Sequence, residues 1–298
     1  MRNLLMTLLT LMGTMLSAQP WTQFDAMFNP SGIPSLPFSQ PRFADLDGDG
    51  DFDMIIGNLN GAPFCMMNTG SRTYPKFTTN DTLLANVSWL DAEMAVFYDI
   101  DNDGDLDMIC GGYNGLTLYT NEGTSEHPSF PAGLPFAETV TSGMNPIPDF
   151  ADLDADGDLD MVLGFSESGA VKIYTNIGTP EIPQFTDAHS SQIVDVGLYA
   201  YPTFGDLDND GDTDLLIGKD GHGFRYFINI GDSSNAVWQE NSALFSGLGN
   251  DDYWNSPDLV DLTGNGKLDL VFGTASGPIS FYCNTGTPEA PAWTVNTS

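Results

Sequence analysis

Five aspartates alternate along the run DLDGDGDFDMIIG: Asp45, Asp47, Asp49, Asp51 and Asp53. Carboxylates drawn to one point repel each other by roughly several kcal/mol unless a cation sits among them. Counting Asp45 as position 1, positions 1, 3, 5 and 9 can turn side-chain oxygens inward. Gly50 at position 6 permits the backbone to turn, and position 7 can offer its carbonyl. Hard oxygens clustered in this way suit Ca²⁺, which accepts about six to eight of them in flexible geometry. Mg²⁺ fits less well, because it prefers strict octahedra and keeps its waters.

The run recurs. DIDNDGDLDMICG begins at Asp99, DLDADGDLDMVLG at Asp152, DLDNDGDTDLLIG at Asp206 and DLTGNGKLDLVFG at Asp261, at offsets of 54, 53, 54 and 55 residues. The expected metal-binding residues are therefore Asp99, Asp101, Asp103, Asp105 and Asp107 in the second copy. In the third they are Asp152, Asp154, Asp156, Asp158 and Asp160, and in the fourth Asp206, Asp208, Asp210, Asp212 and Asp214. The fifth copy keeps Asp261 and Asp269 but carries Thr263, Asn265 and Lys267 between them, so it is expected to bind weakly or stay empty. Lys267 at position 7 also implies that this position contributes only a carbonyl. An EF-hand would need Glu at position 12 and flanking helices. Position 12 is Ile56, Cys110, Leu163, Ile217 and Phe272, with strand-like flanks.

The elements that must position these loops also repeat. A short alternating stretch (PRFAD, MAVFYD, PTFGD) enters each loop, and an apolar stretch leaves it. A third strand (FCMMN, LTLYTN, VKIYTN, FRYFIN, ISFYCN) ends in an Asn-x-Gly turn at Asn68, Asn121, Asn176, Asn229 or Asn284. An aromatic then opens the fourth strand region: Phe77, Phe130, Phe185, Trp238 or Trp293, preceded by Pro-x in every copy except the fourth. Four-stranded antiparallel units at this period predict an all-β propeller with five visible repeats of about 54 residues. Packing such units around an axis buries faces that one sheet leaves open. Residues 21–28 resemble the fourth strand of another unit.

The pattern D-x-D-x-D-G-x-x-D followed by an apolar triplet and Gly resembles the FG-GAP/VCBS repeat family, which includes the calcium loops of integrin α-subunit propellers. The resemblance spans nearly all of residues 21–298. It implies a β-propeller with Ca²⁺ held between the first and second strands of each blade, and carries ligand roles onto the four full loops.

Composition agrees. Eight Lys and Arg stand against 41 Asp and Glu, a formal charge of −33. Five acids lie in each full loop and two in the fifth, so 22 of the 41 belong to the repeated loops. A field of this sign repels nucleic-acid backbones and anionic lipid, leaving neither as an expected partner. Residues 1–18 read as a secretory signal peptide: Arg2, an apolar run from Leu4 to Leu16, and Ala18 before the cut. The propeller then occupies 19–298. The run is too short to span a bilayer, and no later segment does so. Cys65, Cys110 and Cys283 lie in apolar strands and read as buried small hydrophobes.

Strand direction puts the acidic loops and Asn-x-Gly turns on one face of the ring. The opposite face collects Trp89, Tyr113, Tyr199, Tyr201, Lys219, His222, Tyr253 and Trp254, residue types that suit a protein or glycan ligand. The three histidines share no spacing, and no nucleophile or phosphate-binding motif is present. Two carboxylate pairs beside tryptophans, Asp251–Asp252 and Asp91–Glu93, are the remaining acid–base candidates. The reading is a secreted, monomeric calcium-binding propeller for binding or adhesion. A lectin-like carbohydrate binder and a polysaccharide lyase are the alternatives.

Overall fold

The computed structural model describes residues 36–294 except 58–62, 81, 86, 88–91, 141–142, 222, 247, 249–252, 278 and 288–291. The expected signal peptide and the strand-like segment 21–28 lie outside the described residues.

Each repeat folds into one four-stranded antiparallel sheet whose strands pair in sequence order. The first blade is β1 (Gln40–Ala44), β2 (Asp53–Gly57), β3 (Phe64–Asn68) and β4 (Phe77–Thr79). The second is β5 (Ala92–Tyr98), β6 (Asp107–Gly112), β7 (Gly115–Tyr119) and β8 (Leu134–Phe136). The third is β9 (Pro146–Ala151), β10 (Asp160–Phe165), β11 (Ala170–Tyr174) and β12 (Ser190–Asp195). The fourth is β13 (Tyr201–Gly205), β14 (Asp214–Gly218), β15 (Phe224–Asn229) and β16 (Trp238–Glu240). The fifth is β17 (Ser256–Val260), β18 (Asp269–Gly273), β19 (Ser280–Asn284) and β20 (Trp293–Thr294). Among the described residues, helical geometry is confined to two short 3-10 turns, Asp187–His189 and Ser242–Phe245.

Burial explains why the second strand of each unit is apolar on both sides. Successive strand residues point to opposite faces, and both faces of a blade meet a neighbour. In β2, Ile55 packs into the cluster shared with the second blade, and Met54 and Ile56 into the cluster shared with the fifth. Five such clusters fill the five seams, and the one containing Val260, Val271 and Phe281 with Met54 and Phe77 closes the ring. The glycine ending the apolar triplet has a steric reason. A Cβ on Gly164, Gly218 or Gly273 would collide with the backbone carbonyl of Ala200, Asn255 or Ser39 on the next blade. The Gly273–Ser39 contact joins the fifth blade to the first just as the others join sequence neighbours.

The inner strands of neighbouring blades are also tied together by side chains. Asp258 Oδ2 accepts the Phe43 amide at 2.9 Å, and Arg42 Nη1 donates to the Pro257 carbonyl at 2.8 Å. Asp149 accepts the Phe204 amide at 2.7 Å and the Tyr98 hydroxyl at 2.5 Å. Arg42, Asp149 and Asp258 occupy the same position in their repeats, three residues before the acidic loop.

The Asn-x-Gly turns act through the asparagine side chain. Asn68 Oδ1 accepts the amides of Gly70 (3.0 Å) and Lys76 (2.8 Å), and Asn121, Asn176 and Asn229 repeat the pattern. The aromatic that follows is a core anchor: Phe77, Phe130, Phe185 and Trp293 are at most 3% exposed, and Trp238 is partly buried. All three cysteines are buried thiols.

Candidate metal centres

Each acidic loop joins the inner strand of a blade to its second strand, and its own carboxylates fold it. Asp45 at position 1 accepts the amides of Asp49 (3.1 Å) and Gly50 (3.0 Å), and Asp49 at position 5 accepts that of Asp51 (2.9 Å). The position-4 residues Gly48, Asn102, Ala155, Asn209 and Gly264 all have φ between 56° and 68°. That left-handed turn favours Gly and Asn, which is what every loop but the third supplies.

Position 9 has a second task that its spacing did not reveal. Asp53 accepts the Leu46 amide with Oδ2 (3.0 Å) and the Asn68 amide with Oδ1 (2.7 Å), tying the loop to β3. Asp107, Asp160, Asp214 and Asp269 bind the amides of Asn121, Asn176, Asn229 and Asn284 at 2.7, 2.8, 2.8 and 2.8 Å. All five are at most 2% exposed. Burial pushes Asp53 and Asp107 up to about 7, and Asp160, Asp214 and Asp269 up to about 6, against those amides. This explains which acids the fifth loop retains: Asp261 and Asp269 are the two that fold it, through the amides of Asn265, Gly266, Thr263 and Asn284.

The carboxylate oxygens converge where the pattern places them. Asp45, Asp47 and Asp53 bring ligand atoms within 4.8 Å of one another in the first loop. Asp99 with Asp101 and Asp103, Asp152 with Asp154 and Asp156, and Asp206 with Asp208 and Asp210 do so in the next three. The donor set fits a hard cation by a further observation. In all four loops the Oδ1 atom at position 3 (Asp47, Asp101, Asp154, Asp208) is enclosed and has no hydrogen-bond partner. Burial, and then repulsion from the neighbouring aspartates, raises the pKa of each of these four. A cation would satisfy an enclosed carboxylate oxygen that has no partner and has anionic neighbours. Among position-7 residues, Asp105, Asp158 and Asp212 are also pushed up, first by burial and then by Asp103, Asp156 and Asp210. In the fifth loop, Asn265 donates to the Asn284 carbonyl at 3.2 Å and Lys267 reaches out to the Gly286 carbonyl at 2.6 Å.

The opposite face brings together part of the expected aromatic set. Trp254 lies 4.1 Å from the Tyr199 ring and 4.2 Å from that of Phe38, centroid to centroid. Phe38, Asn145, Tyr199 and Trp254 occupy equivalent positions just before four inner strands, with φ of 59°, 50°, 52° and 60°. Left-handed backbone at large side chains stores strain. Phe38 joins the set because ring closure brings it beside Trp254, which no local pattern in the sequence reveals. Tyr113 and Tyr253 are exposed, and Lys219 is partly buried, its Nζ 3.3 Å from the Asp220 carbonyl. Tyr201 opens β13 and is 1% exposed, packed in the core between the second and third blades rather than presented to a ligand. Trp89, His222 and the pair Asp251–Asp252 lie outside the described residues, as do Asp91 and the side chain of Glu93.

Five sheets around an axis, each with an acidic loop on one rim, define a five-bladed β-propeller of the acidic-loop repeat class, four of whose loops could hold a metal ion. The model of the FG-GAP-like repeat matches residues 99–163, 152–217 and 206–272, more than half of the chain, and the protein belongs to that family. No curated protein matches the chain by sequence. Among solved structures, an endo-1,4-beta-xylanase from Bacteroides thetaiotaomicron is similar at 12% identity, over 89% of this chain and 96% of the other, with a TM-score of 0.57. An Agrocybe aegerita lectin described as recognising non-reducing terminal N-acetylglucosamine is 19% identical over 87% of this chain, with a TM-score of 0.45. This chain spans 66% of the lectin's length. At 12% identity the likeness to the xylanase is one of fold.

Proposed function

We propose that the protein is a secreted calcium-binding propeller serving as a binding or adhesion module, with one structural Ca²⁺ in each of the four full loops. The observation that carries this reading is the enclosed, partnerless position-3 oxygen, repeated in four loops with two further carboxylates around it. The ion would be held by the carboxylates at positions 1, 3 and 5 and the carbonyl at position 7, with the buried position-9 acid behind them. Bound Ca²⁺ would supply positive charge that relieves carboxylate repulsion and fixes the hairpin, a role in stability rather than chemistry. The leader-like residues 1–18 support export, where millimolar calcium makes even modest sites useful.

The ligand end is the opposite face. Strained backbone at four equivalent positions, three of them aromatic, is a local expense that a packed scaffold has no need of. The clustered rings of Phe38, Tyr199 and Trp254 suit the apolar face of a sugar, so a glycan is the second reading of the ligand. Two measurements test the proposal. Calcium titration by calorimetry should give four sites, and chelation should lower the melting temperature by more than about 5 °C; an unchanged melt overturns the metal assignment. A glycan array and a cell-surface protein screen with Trp254→Ala as control then separate the ligand classes.

A further inference from the structure

At three seams, the turn between the third and fourth strands of one blade lies over the acidic loop of the blade before it. A Cβ on Gly48 would lie 3.2 Å from the Ser125 carbonyl, and Pro180 lines a cleft with Asp99 and Asn102. Where the fifth blade meets the first, a Cβ on Gly264 would lie 3.0 Å from Thr73 Cγ2. The residue just before Thr73 is Arg72, the equivalent of Ser125 and Pro180, and its Nη2 lies 3.2 Å from Asp261 Oδ2. The guanidinium is steadied against the Phe52 ring, 5.3 Å from its centroid.

We infer that Arg72 is the built-in cation of the fifth loop: a guanidinium from the first blade stands in for the metal, so the closing seam of the ring is independent of calcium. This rests on the calcium reading of the other four loops. Two features of the molecule support it. The one loop that has lost its acids at positions 3, 5 and 7 is the one overlain by a basic residue, whereas the turns over the first two loops present Ser125 and Pro180. Formal charge also balances: the two acids of the fifth loop, Asp261 and Asp269, are matched by Arg72 and Lys267, while each full loop carries five acids and no base. The Asn265 amide, hydrogen-bonded to the Asn284 carbonyl and to the Lys267 amide, is turned to bracing the loop instead of ligating.

The test uses the full chain in three forms: wild type, Arg72→Gln, and Arg72→Ala combined with Thr263→Asp, Asn265→Asp and Lys267→Asp. Calcium is counted by equilibrium dialysis with elemental analysis, and melting is followed in calcium and in EDTA. The expected results are four ions in wild type and five in the quadruple variant. Arg72→Gln should still hold four, with its melting temperature lowered by about 2–4 °C equally in calcium and in EDTA. Five ions in wild type, or an Arg72→Gln loss seen only with calcium present, overturns the inference. Should the quadruple variant fail to fold, the Arg72→Gln melts and the wild-type count still decide. No ion in wild type would instead refute the calcium reading, while an Arg72→Gln loss in EDTA would still uphold the ion pair.

Discussion

Asp258→Asn should alter stability in a manner set by pH. The Asp258 carboxylate accepts the Phe43 amide across the closing seam and the Leu259 amide on its own strand. Burial is the main influence on it and raises its pKa to about 6, Arg42 pulling it down and Asp149 pushing it up. In the unfolded chain it titrates near the ordinary 3.8. Between about pH 4 and 6 the folded protein therefore keeps a proton that the unfolded chain has released, so this group's contribution to stability falls as pH rises through that window and is level above it. The gap corresponds to about 3 kcal/mol, or about 2 kcal/mol after a discount for a side chain that is only partly buried. Asparagine retains an oxygen for the Phe43 amide and never ionises. The unfolding free energy of the variant relative to wild type should thus shift by about 2–3 kcal/mol in the variant's favour from pH 4 to pH 7.5. Urea denaturation read by circular dichroism at half-unit pH steps, in EDTA, measures this, and the distant loop carboxyls cancel in the difference. A difference flat with pH would mean that the carboxyl is solvated and the seam is not closed as described.

Ala155→Gly relieves the one position-4 residue that is neither Gly nor Asn, at φ 57°; equilibrium unfolding should show a gain of about 1 kcal/mol, and a loss would mean that the third loop turns differently. Asn176→Ala leaves the part-buried amide bonds of Gly178 and Gln184 without their acceptor and should cost about 1 kcal/mol in the same assay. Trp293 is fully buried, its ring 5.5 Å from that of Phe245; Trp293→Ala should cost about 3–5 kcal/mol, and Trp293→Phe visibly less.

The number of blades, the strand order and the converging oxygens were legible because they repeat: five copies of one pattern announce one local geometry. What escaped was whatever depends on a single copy or on closure. Arg42, Asp149 and Asp258 look like isolated charges in three alternating strands, and acquire a role only when the ring turns those strands toward a common axis. Position 9 reads as a ligand, and Asp53 does converge with Asp45 and Asp47; its second task of folding the loop is hinted at only by its survival beside Asp261 in the depleted fifth loop. Tyr201 was read as a loop residue, but β13 starts at that residue and turns the ring inward. The Pro-x-aromatic element behaved as expected because a large ring after a strand break has few places to go except the core.

Because every described sheet is assembled from strands adjacent in sequence, the ladders close over short spans: Asn68 reaches Asp53 across 15 residues, and each other blade repeats nearly the same step. The bond from Phe43 to Asp258 crosses 215. Short loops close at a smaller entropic penalty and sooner than long ones, so the blades should acquire amide protection during refolding before the two ends of the array meet. Pulse-labelling hydrogen exchange would then find the Phe43 amide among the last to be protected, after those of Asn121, Asn176 and Asn229. In kinetic terms the molecule is a chain of five fast local events followed by one slow global event, and mutations at Arg42 or Asp258 should act on the slow one.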